Sequence, residues 1–166
     1  MKLRVSILTV SDRSYAGARE DLSGPLLAKM IEEQGWMIAQ TGIVPDEMAE
    51  ISKILVEWSA LGNVDVILTT GGTGFAPRDI TPEATLSVIE RRAPGLVEAI
   101  RAKSLAITPH AMLSRAEAGI RGKVIIINLP GSPKAVKENF DVISPVLSHA
   151  VALLREEPDS EAGHKM

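Results

Sequence analysis

The stretch ILTTGGTGFAPRDITPEAT, residues 67–85, joins an apolar run to a glycine-rich loop and then to the start of a helix. The apolar run predicts a buried strand, and the Thr-Pro-Glu sequence at 81–83 indicates a helix start because proline is favoured in the first turn. Three glycines within four residues, Gly71, Gly72 and Gly74, stand between them. A strand, a loop and a helix in this order form the repeating unit of α/β folds.

The same alternation extends on both sides of this stretch. Apolar runs predict strands at residues 3–10, 36–44, 64–70 and 123–129, and helical spacing predicts helices that begin near residues 23, 46, 81, 94 and 133. Several strands lack polar alternation, which is typical of a parallel sheet covered on both faces. We therefore predict an α/β fold, a three-layer α/β/α domain with a mostly parallel central sheet over residues 1–155. A polar, flexible tail is expected at 156–166.

Composition narrows the class of protein. A chain of 166 residues is the size of one domain with a sizeable core. The absence of cysteine excludes disulfides, cysteine zinc sites and a thiol nucleophile. A net charge of -3 gives no indication of nucleic-acid binding. No signal-peptide pattern and no apolar run of about 20 residues is present, so no membrane association and a cytoplasmic location are expected.

Polar residues follow each predicted strand, at the edge where parallel α/β sheets bind their ligands. The glycine loop at 71–74 can turn its backbone N–H groups inward as an anion nest, with Thr73 among them. It is not a P-loop, because no Gly-Lys-Ser/Thr follows. It is not a full dinucleotide fingerprint, because Pro77 stands where the third glycine belongs. A tight structural turn is the alternative interpretation.

Two acidic residues have competing interpretations. A carboxylate at Asp79, beside an anion nest, fits a site where Mg²⁺ bridges it to phosphates, whereas the structural alternative is a salt bridge to Arg78 or another surface cation. Asp46 stands where a helix N-cap belongs, and it also lies on the same predicted sheet edge as Asp79. Both interpretations of Asp46 stay open at this point.

Other helix starts carry similar ambiguity. Ser23, Thr81 and Ser132 each stand near the start of a predicted helix and are candidate caps. Ser132 also marks a helix N-terminus that suits phosphate, where Gly131 allows close approach and Lys134 adds charge. In the irregular segment at 108–115, Ser114 and Arg115 are candidates for contact with a ligand, while its apolar residues suit core or subunit packing.

Four motifs together carry a family resemblance. TTGGTGFAPRDITPEAT at 69–85, VPDE at 44–47, TPHAMLSRAEAGIRG at 108–122 and INLPGSPKAV at 127–136 resemble the molybdopterin adenylyltransferases of molybdenum-cofactor biosynthesis, together with the related domain of gephyrin. The resemblance covers residues 5–154 and implies the fold of that family. It also implies transfer of AMP from ATP to the terminal phosphate of molybdopterin, with Mg²⁺, and release of pyrophosphate.

The resemblance implies roles for particular residues. It makes Asp46 and Asp79 the catalytic carboxylates and Mg²⁺ ligands, and residues 71–74 the nucleotide-binding loop. It places Ser114 and Ser132 on the pterin-binding side, with Gly131 beside them and Arg78 and Lys134 as charge partners. A homotrimer and contact with the downstream molybdenum-insertion enzyme are also implied. A catalytically inactive molybdopterin-binding paralogue of the same fold is the alternative.

Overall fold

The computed structural model of the chain describes residues 1–158 and residue 160. Most of the predicted tail, residues 159 and 161–166, lies outside them. The strands are β1 (Arg4–Val10), β2 (Met37–Val44), β3 (Val66–Thr70), β4 (Arg91–Arg92), β5 (Ala118–Arg121) and β6 (Val124–Leu129). The helices are α1 (Asp12–Tyr15), α2 (Ser23–Glu33), α3 (Met48–Ala60), α4 (Thr81–Val88), α5 (Pro94–Leu105) and α6 (Pro133–Leu154), with a 3₁₀ turn at Pro109–Leu113.

One six-stranded sheet organises these elements, in the order β2-β1-β3-β6-β5-β4. The first four strands of that order run parallel, so that Ile7 of β1 lies opposite Thr41 of β2 and Leu68 of β3, and Leu68 lies opposite Ile127 of β6. The predicted mostly parallel sheet is therefore confirmed. Strand β5 runs antiparallel to both β6 and β4.

The sequence patterns did not reveal β4 and β5. Strand β4 has two residues and β5 has four, which is too short for an alternation of apolar and polar residues to be recognised. A hairpin turn at Gly122, where φ is +57°, joins β5 to β6. Gly119 in β5 further obscures the pattern because it contributes no side chain. A Cβ there would lie 2.4 Å from the Ile89 side chain, so packing demands glycine.

Helices cover the sheet on both faces. Successive side chains of a strand point to opposite faces, so Ile7 and Leu8 of β1 belong to separate clusters. Helices α2, α5 and α6 supply the larger cluster, in which Phe140 is fully buried. Helices α3 and α4 supply the smaller one. Burial on both faces explains why the central strands read as unbroken apolar runs.

Two of the four predicted helix caps are wrong in a way that matters for the site. Asp46 is not an N-cap: α3 begins after Glu47, and the Asp46 carboxylate instead accepts a hydrogen bond from the backbone N–H of Asp12 at 2.8 Å. Thr81 lies inside α4, and its hydroxyl donates to the Gly71 carbonyl oxygen at 2.9 Å. Both side chains hold loops together instead of ending helices.

The remaining two caps differ from each other. Ser23 lies inside α2, and its hydroxyl donates to the Gly131 carbonyl oxygen at 2.6 Å, while Asp21 accepts from the Gly24 N–H. Ser132 is confirmed as the N-cap of α6, because its hydroxyl oxygen accepts from the Ala135 N–H at 3.1 Å. No helix within residues 1–158 and 160 is long and apolar enough to cross a membrane.

Candidate functional site

A cavity of about 600 Å³ opens at the carboxyl edge of the parallel strands. The loops that follow β1, β2, β3 and β6 all contribute to its lining. The structure thereby brings together, around one cavity, six residues singled out in the sequence: Asp46, Gly71, Gly72, Asp79, Gly131 and Ser132. This edge is where ligands bind in open α/β sheets.

Packing explains why the loop after β3 needs glycine. Gly71 and Gly72 have φ values of +102° and +68°, in the region that disfavours side chains. A Cβ at Gly71 would lie 2.3 Å from the Val10 carbonyl oxygen, and one at Gly72 would lie 2.3 Å from the Thr81 hydroxyl. A Cβ at Gly74 would lie 2.9 Å from the Asp79 carboxylate. The tight-turn interpretation therefore accounts for Gly71 and Gly72 on structural grounds alone, whereas the Asp79 side chain can move away from a Cβ at Gly74.

The same loop nevertheless retains capacity to bind an anion. The Gly71 N–H donates to the Leu129 carbonyl oxygen at 3.1 Å. Within the part of the chain that the structure describes, the N–H groups of Gly72, Thr73 and Gly74 have no acceptor. Successive unpaired N–H groups in a glycine turn can form an anion-binding concavity, so the structural turn is compatible with an anion nest.

Asp46 and Asp12 exchange hydrogen bonds across the ends of β2 and β1. The Asp46 carboxylate accepts from the Asp12 N–H at 2.8 Å, and the Asp12 carboxylate accepts from the Asp46 N–H at 3.0 Å. Burial raises the pKa of Asp46, and the charges of Asp12 and Asp79 raise it further against the effect of the Asp12 N–H. The Arg78 guanidinium holds the pKa of Asp12 below its usual range. The protein thus compensates the charge of Asp46 less than that of Asp12, although the charge of Arg78 acts on both.

The structural alternative for Asp79 was a salt bridge to Arg78, but Arg78 does not pair with Asp79. Its guanidinium donates to Asp12 at 2.6 Å and to Glu47 at 2.8 Å, and so ties the glycine loop to the loops after β1 and β2. The Asp79 carboxylate accepts from the Ala76 N–H at 3.0 Å. No cation pairs with Asp79 among residues 1–158 and 160.

Arg115 holds the other side of the glycine loop, a role that the sequence patterns did not reveal. Its backbone N–H donates to the Thr73 carbonyl oxygen at 2.8 Å, and its guanidinium donates to the carbonyl oxygens of Gly74 at 2.7 Å and Asp79 at 2.5 Å. It also pairs with Glu83 of α4. The rigid fork of an arginine suits several acceptors at once. The only signal in the sequence was its place directly after Ser114.

A second cavity, of about 280 Å³, lies on the other side of the glycine loop. Thr73, Gly74 and Ser114 line it, whereas Ser132 lines the first cavity. The two serines that the resemblance groups together are therefore separated by the loop. Lys134 is exposed in the first turn of α6 and lines neither cavity.

The residues present fit a hard divalent cation that is bound together with phosphate. No group of three or more His, Asp or Glu side chains able to hold a metal occurs among the residues described. Mg²⁺ needs no such group, because it commonly takes one or two carboxylates with water and substrate phosphates. Asp46 and Asp79 can supply two carboxylates, and their charges already disfavour each other across the first cavity.

Comparisons with known proteins identify the family of the chain. Residues 6–149 match the protein family described as "Probable molybdopterin binding domain". Gephyrin of Dictyostelium discoideum is 44% identical over 166 residues, which cover 94% of this chain. The chain spans only 23% of the length of that gephyrin.

Two smaller relatives match along most of their own length. Molybdopterin adenylyltransferase of Helicobacter pylori strain J99 is 41% identical over 154 residues, covering 92% of this chain and 88% of that protein. The crystal structure of the molybdopterin biosynthesis enzyme MoaB from Thermus thermophilus superposes with a TM-score of 0.88 at 44% identity. That superposition covers 93% of this chain and 98% of the other.

Proposed function

The chain belongs to the molybdopterin-binding domain family, and from this membership we propose that it acts in molybdenum-cofactor biosynthesis as a molybdopterin adenylyltransferase. The reaction would transfer AMP from ATP to the terminal phosphate of molybdopterin. The observation that carries the proposal is the placement of Asp46 and Asp79 beside the glycine loop in one cavity. The relative of 41% identity named for this activity supports it.

The proposed step needs no nucleophile from the protein. An oxygen of the terminal phosphate of molybdopterin forms a bond to the α-phosphorus of ATP. The bond between that phosphorus and the bridging oxygen of the β-phosphate breaks, and pyrophosphate leaves with the electron pair. Such a transfer depends on positioning and charge neutralisation more than on covalent chemistry by the protein.

The chain offers three kinds of contact for this step. The unpaired N–H groups of residues 72–74 bind phosphate oxygens. The Ser132 hydroxyl uses its oxygen to cap α6, so its proton remains available to a phosphate oxygen. Asp46 and Asp79 would hold Mg²⁺, which supplies neutralisation of phosphate charge when bound. Arg78 and Arg115 keep these groups in place from opposite sides of the loop.

We assign the two substrates to the two cavities. The first cavity holds the carboxylates and takes the triphosphate of the nucleotide. The second cavity, with Ser114, takes the pterin, and its terminal phosphate reaches the glycine loop that separates the cavities. The proposal includes a cytoplasmic location, a homotrimer and the downstream molybdenum-insertion enzyme as a partner. Exposed Leu105, Ile107 and Met112 offer apolar surface for subunit contact, which light scattering of the purified protein tests.

A product assay tests the proposed function. The protein is incubated with molybdopterin, ATP and Mg²⁺, and adenylylated pterin and pyrophosphate are quantified. Asp79→Asn should lower turnover by at least ~10²-fold, about 3 kcal/mol of transition-state stabilisation. Asp141→Asn is the matched control, because Asp141 pairs with Lys137 on the surface of α6. Binding of molybdopterin by folded wild-type protein without any product would favour the inactive paralogue.

A further inference from the structure

The charges around the first cavity pose a problem for a polyphosphate ligand. Its lining carries five carboxylates and two guanidinium groups, those of Arg13 and Arg19. A nucleotide triphosphate would add further negative charge to this cavity. A cation at Asp46 and Asp79 compensates charge on one side only, so the position of the two arginines determines where the remaining phosphates can lie.

Most of the carboxylates already have protein partners, whereas the two arginines have none. Asp12 is paired with Arg78, and Asp21 accepts from the Thr9 hydroxyl at 2.7 Å and from the Gly24 N–H. Within residues 1–158 and 160, the guanidinium groups of Arg13 and Arg19 make no hydrogen bond and no ion pair. They are exposed cations beside acidic residues, and they remain available to a ligand.

The backbone brings these two arginines together and keeps them there. The Arg13 carbonyl oxygen accepts from the N–H of Ala18 at 2.9 Å and from the N–H of Arg19 at 3.3 Å. The start of the segment is fixed by the Ser11 side chain, which accepts from the Ser14 N–H at 3.1 Å. The two guanidinium groups therefore extend from adjacent backbone positions at one rim of the cavity.

We propose that Arg13 and Arg19 form the binding site for the pyrophosphate portion of the nucleotide and hold it as it leaves. The inference rests on the proposed adenylyl transfer. Guanidinium groups bind phosphate oxygens in bidentate fashion, and two of them suit the several oxygens of a pyrophosphate. The electron pair of the broken bond resides on the departing pyrophosphate, and the arginines offset that charge.

Direct binding of inorganic pyrophosphate tests this site without turnover. Calorimetric titration in the presence of Mg²⁺ compares wild type with Arg13→Ala, Arg19→Ala and the double variant. Each single change should raise the Kd for pyrophosphate about tenfold, and the pair about 100-fold. The Kd for AMP should stay within about twofold, because AMP lacks the departing group. Arg13→Lys should restore only part of the affinity, because a lysine cannot bind in bidentate fashion.

Arg91→Ala provides the matched control. Arg91 is an exposed arginine of β4 that lines a different cavity, so its loss changes net charge equally without touching this site. Unchanged pyrophosphate affinity in folded Arg13→Ala and Arg19→Ala would overturn the inference. So would weaker binding of molybdopterin or inorganic phosphate with pyrophosphate unaffected, since the arginines would then serve the other substrate. Absence of adenylylated product from wild type is a separate result that overturns the transfer reaction itself.

Discussion

Gly72→Ala isolates the physical demand that the glycine loop makes on the chain. Gly72 has a φ of +68°, and an added Cβ would lie 2.3 Å from the Thr81 hydroxyl and 3.0 Å from an Asp46 carboxylate oxygen. The Thr81 hydroxyl donates to the buried Gly71 carbonyl oxygen at 2.9 Å. Alanine at position 72 therefore strains the backbone and displaces a hydrogen bond that joins the loop to α4.

The two effects differ in size. A non-glycine residue at positive φ costs about 1–2 kcal/mol, and alanine recovers about 0.4–1 kcal/mol by restricting the unfolded chain. Breaking the buried hydrogen bond of Thr81 adds about 1–3 kcal/mol. We expect Gly72→Ala to lower the free energy of unfolding by about 1–5 kcal/mol in total. Turnover should fall as well, because the displaced loop carries the unpaired N–H groups.

Gly62→Ala separates strain from contact. Gly62 has a φ of +74°, and an added Cβ there meets nothing within 4 Å. Only the cost of the backbone conformation applies, so Gly62→Ala should lower the free energy of unfolding by about 0–1.5 kcal/mol and keep full turnover. Thr81→Ala removes the hydroxyl that an alanine at 72 would meet. In that background Gly72→Ala should become less destabilising by about 1–2 kcal/mol, measured as the coupling in a double-mutant cycle.

Urea denaturation at pH 7 measures the free energy of unfolding of the three single variants and of the double variant at positions 72 and 81. Equal losses for Gly72→Ala and Gly62→Ala, within about 0.5 kcal/mol, would show that the close approach of Thr81 has no energetic consequence. Zero coupling between positions 72 and 81 would refute the reasoning independently. Either outcome would remove the contact with Thr81 from the reasons for glycine at this position.

Three further predictions concern the charged groups. Burial raises the pKa of Asp46, so wild-type stability falls as pH rises through that pKa. In urea denaturation, the free energy of unfolding of Asp46→Asn should match that of wild type near pH 3 and exceed it at pH 7. The same change should lower turnover by ~10²-fold. Arg115→Lys should lower the free energy of unfolding by about 1–2 kcal/mol and reduce turnover, because one ammonium cannot replace a fork that also holds Gly74; normal turnover would contradict this positioning role. Burial acts to raise the pKa of Asp65, but the hydrogen bonds from Arg4 outweigh burial and lower that pKa. The contribution of Asp65 to stability is therefore present at pH 7 and is lost as pH falls through the lowered pKa. Asp65→Ala should cost about 2–4 kcal/mol at pH 7 with normal turnover of the folded fraction, since Asp65 precedes β3 at the opposite end of the sheet from the cavity.

Sequence reasoning succeeded where burial dictates residue type. Strands β1, β3 and β6 are covered on both faces, and their apolar runs could be recognised in the sequence alone. It failed for β4 and β5, because strands of two and four residues form by extending an existing sheet and need little pattern of their own. The parallel order of the central strands was predictable, whereas the antiparallel edge was not.

At the candidate site, too, the sequence predicted some features and missed others. Placement of Asp46 and Asp79 at one sheet edge followed from the alternation of strands and helices. The partners of Arg78 did not, because Asp12 lies 66 residues away along the chain and only the folded loops bring them into contact. Likewise the interpretation of Asp46 as a helix cap failed because local sequence cannot report a bond to Asp12.

Asp46 also distinguishes between two kinds of phosphate site. A nest of N–H groups that binds an anion directly is opposed by any carboxylate nearby. Here Asp46 is half-buried, which raises its pKa, and Asp79 lines the same cavity. Among the residues described, no cation forms an ion pair with either carboxylate. Such an arrangement lowers stability at neutral pH, and the local rules of helix capping do not require it. It becomes favourable when a cation lies between the carboxylates and the phosphates. The acidic pair therefore supports the proposed nucleotide bound with a metal, and the charge that the metal leaves uncompensated falls to Arg13 and Arg19, which line the same cavity.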